Sequence, residues 1–288
     1  MKKKLSLGVI SLISCVFLSA CGNSTESVNK QSKEISDISF VETARNNTDT
    51  LWYRVYNQDV IDGNSSIESI VVTKNGKSIL YETSDKITFD DIAGLSDQEI
   101  QQKAKELDEI TFREKVTEVE NEYNRTLEKA NKDFEYQVAY KDDVTNGNPD
   151  VLAGLTDSIP KFENDIKYLK DLEYISPVEK AVEAFVVVTD DQTVEETIDL
   201  PNRSVSYNEW YYDGLSKKLI NTSDNGFFYE DEDFREVDFI HPLSIKISDN
   251  FYSGYSNESM DLQFLTKVTS DKQIVSLDKI GSEGVNEK

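Results

Sequence analysis

The sequence predicts an α+β protein: an N-terminal β-hairpin region, a long helix with an antiparallel helical hairpin, and a C-terminal antiparallel β-sheet or sandwich. Three observations carry this expectation. Asn75-Gly76 stands between two alternating, β-branched runs. An apolar residue recurs every three or four positions from Phe112 to Val138. Beyond Pro177, short strand-like runs are separated by Gly, Asn and Asp turns. The folded part therefore divides into a β region over 39–92, a helical hairpin region over 96–176 and a β-rich region over 178–288.

Each element has a local reason. Thr50 to Tyr56 is aromatic and β-branched, hence strand-like. Ile67 to Lys74 and Lys77 to Tyr81 flank Asn75-Gly76, and a two-residue hairpin turn needs positive φ at both central positions. Ile87-Thr88-Phe89 reads as one more short strand. Ser96, with Glu99 three residues on, reads as a capping box that starts a helix. Ile100, Ala104 and Leu107 open its apolar face; an unbroken helix from Ser96 to about Lys141, roughly 65–70 Å long, stands beside one broken near Asp108–Thr111. Phe112, Val116, Val119, Tyr123, Leu127, Ala130, Phe134 and Val138 continue it at spacings of three and four. Phe112, Tyr123 and Phe134 are eleven residues apart, which favours nearly straight packing. That face is expected to pack on the chain's own second helix.

Asn146-Gly147-Asn148-Pro149 and Gly154 read as a loop, and Pro160 as the first turn of the second helix, with Phe162, Ile166, Leu169 and Leu172 on one face. Ala181 to Thr189 and Thr193 to Leu200 read as a second hairpin. Val205–Tyr212, Lys218–Ile220, Phe227–Tyr229, Leu243–Ile247, Leu262–Val268 and Gln273–Leu277 read as further strands. Local pattern leaves open whether the two β regions share a sheet.

The first residues carry a different message. Lys2, Lys3 and Lys4 precede an apolar run from Leu5 to Leu18, and small residues lead to Leu18-Ser19-Ala20-Cys21. A basic start, a short apolar run and a small-residue end make a secretory signal. The run is shorter than the roughly 20 residues that cross a bilayer. Leu-Ser-Ala-Cys resembles the lipobox of bacterial lipoproteins. The resemblance implies cleavage between Ala20 and Cys21 and a diacylglyceryl group on the Cys21 thiol. It makes 1–20 a cleaved signal peptide and 21–38 a lipidated tether, polar and flexible, spanning roughly 20–25 Å as a random coil. The body is similar to a group of uncharacterised surface lipoproteins of low-GC Gram-positive bacteria. That similarity rests on Val72-Thr73-Lys74-Asn75-Gly76-Lys77, Leu95-Ser96-Asp97-Gln98-Glu99-Ile100, Ser253-Gly254-Tyr255-Ser256 and Ser276-Leu277-Asp278-Lys279-Ile280-Gly281. It implies no activity.

Composition narrows the function classes. With 38% apolar and 10% aromatic residues the chain can build a core. A net charge of −24 argues against nucleic acid and against lying on an anionic leaflet, both of which need positive patches. Of two cysteines, Cys15 lies in the signal and Cys21 is the lipid site, so the body has neither disulfide nor catalytic thiol. A single histidine, His241, excludes a two-histidine zinc helix. It stands next to Pro242 and reads as a strand-end surface residue. There is no nucleophile elbow, P-loop or dinucleotide fingerprint.

Three patterns merit a place in the structure. Asn221 to Gly226 with Glu232 loosely follows the twelve-residue calcium loop, but between strand-like flanks, where a polar turn is expected. Trp210-Tyr211-Tyr212 with Trp52-Tyr53 has the chemistry of an aromatic platform for sugars, although aromatics in strands fill cores. Two acids suffice for a glycosidase, and acids are abundant.

The expectation is a lipid-anchored protein at the extracellular face of the cell membrane, acting as a non-catalytic binding or interaction module. Its partner is a protein or a cell-wall polymer; no cofactor, metal or catalytic residue is expected. Two alternatives stand beside it. The signal, with Cys15-Val16-Phe17-Leu18-Ser19-Ala20, resembles the source of a peptide pheromone. Alternatively, the body is a carboxylate-dependent hydrolase of wall glycans.

Overall fold

The computed structural model describes residues 37–56, 60–188 and 194–287, without the side chains of 201–202 and 230–237. The expected signal peptide, with Ala20 and Cys21, and the expected tether up to residue 36 lie outside the described residues. Ile35–Lys288 forms one compact unit. Its elements run in order α1 (Phe40–Ala44), β1 (Thr50–Tyr56), β2 (Ser69–Lys74), β3 (Lys77–Glu82), α2 (Phe89–Ile92), α3 (Asp97–Ala139) and α4 (Pro149–Lys170). There follow β4 (Lys180–Ala181), β5 (Ala184–Val188), β6 (Val194–Ser206), β7 (Glu209–Asp213), β8 (Lys218–Ser223) and β9 (Phe228–Phe239). The chain closes with β10 (His241–Ile247), β11 (Asn250–Ser256), β12 (Leu262–Val268) and β13 (Val285–Glu287). The fold class is α+β.

The two β regions share a sheet. Among the described residues a seven-stranded sheet has the order β10-β11-β12-β1-β2-β3-β4. Its centre is the antiparallel pair β1–β12, Trp52 opposite Thr266 and Tyr53 opposite Leu265. A four-stranded sheet, β13-β5-β6-β9, and the β7–β8 hairpin complete the strands. Alternation along β1 sends successive aromatics to opposite faces. Trp52 packs with Phe40, Phe264 and Tyr255 in a core shared with Val186, Ile198 and Phe239 of the four-stranded sheet. Tyr53 packs with Phe89 and Tyr252 under α2 and the start of α3. A third core joins the far half of α3, α4 and the β7–β8 hairpin.

Local signals place several ends. Asn75 and Gly76 have φ 51° and 75°. Ser96 accepts from the Glu99 N–H while Glu99 accepts from the Ser96 N–H, which completes the capping box. Of the two readings at Asp108–Thr111, α3 takes the unbroken one; other expectations need correction. That point is where the helix, about 65 Å long, passes from one core to another: Ile100 and Ala104 face the sheet, Val119 and Tyr123 face α4. Asp108 and Thr111 are buried there as polar residues between the two apolar faces. Val138 ends exposed, and Gln137 is buried in its place, accepting from the Asn148 N–H.

α4 begins at Pro149, not Pro160. Asn148 caps it, accepting from the Asp150 and Val151 N–H groups, and Pro149 takes the first position. Pro160 lies inside α4 on the exposed side with Thr156, so the carbonyl that it leaves without a helical donor faces water. Leu155, Ile159, Phe162, Ile166 and Leu169 form the buried face, and Leu172 lies beyond the helix end. Thr88 is the cap of α2, with Asp91 completing a capping box, so Ile87–Phe89 is no strand. Val205–Tyr212 divides at Tyr207-Asn208 between two sheets, and Gln273–Leu277 contributes only the parallel bridge of Val275 to Ile38.

Two buried polar clusters tie the layers together. Asp108 of α3 accepts from Arg203 Nη1 of β6 at 2.5 Å, from the Tyr174 hydroxyl at 2.6 Å and from the Glu82 N–H of β3 at 2.9 Å. The Arg203 guanidinium also lies over the Tyr229 ring of β9, 4.2 Å from its centroid. Elsewhere Asp278 accepts from Ser39 Oγ and, at 2.9 Å, from the Val41 N–H, capping α1. Its own N–H donates to Glu196 of β6 at 2.7 Å. Glu196 is fully buried; that burial first, then the Asp278 carboxylate, push its carboxyl up to about 9.

Candidate functional site

The third core builds a cleft at its edge. Val119, Tyr123 and Ala130 of α3 meet Leu155, Phe162 and Leu169 of α4, and Leu219 of β8 closes over them. Polar bonds hold the β7–β8 hairpin against both helices. The Tyr123 hydroxyl donates to the Asn208 carbonyl, and the Tyr212 hydroxyl donates to Asp133, which also takes Lys217 Nζ at 3.1 Å. Burial first, and then the hydrogen bond to Asp133, raise the Tyr212 hydroxyl above the ordinary tyrosine range, so it stays a donor. On the α4 side, Asp165 Oδ2 accepts from Trp210 Nε1 at 2.6 Å and from Asn208 Nδ2 at 2.9 Å. Asn208 in turn accepts from the Gly226 N–H at 2.9 Å, which fixes its amide.

Between α4 and this hairpin opens a cleft of about 520 Å³, lined by Gly154, Asp157, Lys161, Asp165, Trp210 and Lys218 among others. That volume is in the range of small-molecule sites. The Trp210 ring is half-buried and backed by Phe162, with centroids 5.0 Å apart and planes at 36°. Lys161 pairs with Asp157 at 2.7 Å on the next turn of α4. Asn221 and Asp224 extend the rim. The site thus joins a fixed aromatic wall to fixed acceptors and mobile donors.

Two other cavities are less suited. A groove of about 610 Å³ follows the outer strand β10 beside Val60 and Met260, but its Asp261 carboxylate is already taken by Asn257 and Ser259. A cavity of about 510 Å³ borders Asp278, whose carboxylate caps α1. Glu196, its acidic partner, is sealed from solvent, so no substrate reaches that pair from outside.

The sequence patterns fare unequally. Trp52 and Tyr53 lie in the two sheet cores, while Trp210 lines the cleft and Tyr211 faces water, so the two aromatic runs do not meet. Asn221–Glu232 connects β8 to β9 of another sheet. Asn221 Oδ1 accepts from the Ser223 N–H, and Asn225 Nδ2 donates to Tyr207 O and Ser223 Oγ. Among the described residues no group of His, Cys, Asp or Glu is arranged to hold a metal. His241 is exposed at the start of β10, opposite Ser256. Asp165, which organises the cleft, carried no signal as one of 55 acids. Only its position on α4, four residues beyond Lys161 and so on the same face, could have drawn notice.

No protein-family model, curated protein or solved structure matches this chain. Among the described residues no helix is long and apolar enough to cross a membrane.

Proposed function

We propose that this protein is an extracellular lipoprotein, anchored at the outer face of the cell membrane by a diacylglyceryl group on Cys21. Its body is a non-catalytic binding module that works through the cleft between α4 and the β7–β8 hairpin. The anchor rests on the register of three lysines, an apolar run and Leu18-Ser19-Ala20-Cys21. Two acyl chains hold a protein stably where one does not. The strong negative charge suits a body held off an anionic surface.

The observation that carries the binding role is the shared carboxylate of Asp165. Indole and carboxamide donors pin one of its oxygens, so the cleft wall is pre-shaped before any ligand arrives. Its neighbour Asp157 is neutralised by Lys161. One oxygen of Asp165 is thus committed to positioning and Asp157 to pairing, an arrangement for recognition more than for proton transfer.

Cell fractionation tests the anchor. Wild-type chain should pellet with membranes and incorporate labelled palmitate. Cys21→Ala should appear in the medium or remain as uncut precursor. A variant that is cut and retained like the wild type would refute lipidation.

A further inference from the structure

We infer that the cleft between α4 and the β7–β8 hairpin takes an uncharged saccharide, stacked on Trp210 and hydrogen-bonded to Asp165. This rests on the reading of that cleft as the binding site.

The argument is one of matching chemistry. A saccharide ring has an apolar face of C–H groups and an equator of hydroxyls, each both donor and acceptor. The negative face of an aromatic ring suits the first. Trp210 offers such a ring at a fixed angle, since its Nε1–H is tied to Asp165 and Phe162 supports it from the core. The hydroxyls need acceptors and donors held in place. Both side-chain donors to Asp165 go to Oδ2, so Oδ1 is left to accept from a hydroxyl. Asn221 spends its Oδ1 on the Ser223 N–H, which leaves its NH₂ to donate. Lys218 and Lys161 add donors at the rim.

Competing ligand classes fit less well. Three acids, Asp157, Asp165 and Asp224, face two lysines, Lys161 and Lys218. A phosphate or nucleotide would meet a cleft of net negative charge, one of whose lysines is already paired. A purely apolar ligand would strip water from Asp165 and Asn221 with nothing in exchange. A neutral, hydroxyl-rich ring answers every group named.

The two tryptophans supply the readout. Trp52 is fully buried in the sheet core, and Trp210 is half-buried at the cleft, so a ligand-induced change in emission reports Trp210. The purified full-length chain would be titrated with cellotetraose, maltotetraose and chitotetraose, and in parallel with trialanine and glucose 6-phosphate. Isothermal calorimetry would repeat the titrations for variants. Gly154→Leu is the main variant. Gly154 lines the cleft and a Cβ there meets nothing within 4 Å, so the backbone accepts the leucine and its side chain adds bulk at the cleft wall. Trp210→Ala removes the wall.

The expected result is that at least one neutral oligosaccharide shifts the emission, with affinity lowered about tenfold or more in both variants. Gly154→Leu should melt no lower than the wild type, which separates a blocked cleft from a damaged one. If only trialanine or glucose 6-phosphate binds, and Gly154→Leu abolishes that, the saccharide is refuted while the cleft survives as a site. If saccharide binding persists in Gly154→Leu, or if no probe binds, the assignment of the cleft falls with it.

Discussion

Replacing Asp108 by alanine should destabilise the body strongly. Asp108 is fully buried in the middle of α3, and three groups from other parts of the chain converge on it. Arg203 Nη1 donates at 2.5 Å, the Tyr174 hydroxyl at 2.6 Å and the Glu82 N–H at 2.9 Å. Alanine would take from the Arg203 guanidinium, itself 2% exposed, the carboxylate that meets its Nη1, while its Nη2 keeps the Ile175 carbonyl. Breaking a buried ion pair from one side costs about 3–5 kcal/mol. At about 2–4 °C per kcal/mol for a body of this size, the midpoint of thermal unfolding should fall by roughly 6–20 °C. Urea unfolding followed by far-UV circular dichroism would give the free energy directly. Arg203→Met and the double variant Asp108→Leu/Arg203→Met complete a cycle. Removing both charges should cost less than the sum of the two single losses, because the interaction between the two groups is then lost once and not twice. A loss below about 1 kcal/mol for Asp108→Ala, or strictly additive losses in the cycle, would refute the view that this pair locks α3 to both sheets.

Three further outcomes follow from named contacts. Between the ordinary glutamate value of 4.5 and about 9, folded Glu196 keeps a proton that the unfolded chain has lost. Its contribution is therefore complete at low pH and disappears as pH rises, by about 1.4 kcal/mol per pH unit. Glu196→Gln should flatten that decline in urea melts taken from about pH 5 to pH 8, and an unchanged slope would count against it. A Cβ at Gly254 would overlap the Phe264 carbonyl oxygen and lie 2.8 Å from Leu265 Cα, so Gly254→Ala should cost about 3 kcal/mol or more in the same melts. Gly154→Ala, with open space around it inside α4, should instead gain roughly 0.5–1 kcal/mol; equal effects at the two sites would sink the distinction. Ser96→Ala should lose about 1 kcal/mol, since it opens the capping box at the start of α3, and a melt matching the wild type would show that the box contributes nothing.

Much of the local structure was legible in the sequence because its causes lie within a few residues. Asn75-Gly76 can hold positive φ, and Ser96 with Glu99 can close a capping box, whatever surrounds them. The apolar period from Phe112 onward marks a helix regardless of its partner. Misreadings arose where tertiary contacts outweighed a local cue. Pro160 looks like a helix start, yet burial of Leu155, Ile159 and Phe162 carries α4 straight through it. Asp108 looks like a break, yet Arg203, 95 residues away, satisfies it inside the helix.

The α+β order of elements, the main turn and cap, and the lack of cysteine after Cys21 could be read along the chain. The packed fold was needed to show that β1 pairs with β12, so that strands of both β regions share one sheet. It also decided that Trp52 would fill a core while Trp210 would wall a cleft. The physical reason is range. Turns, caps and periodicity are set by neighbouring residues, whereas a buried ion pair or a cleft depends on side chains that meet only after distant segments have packed.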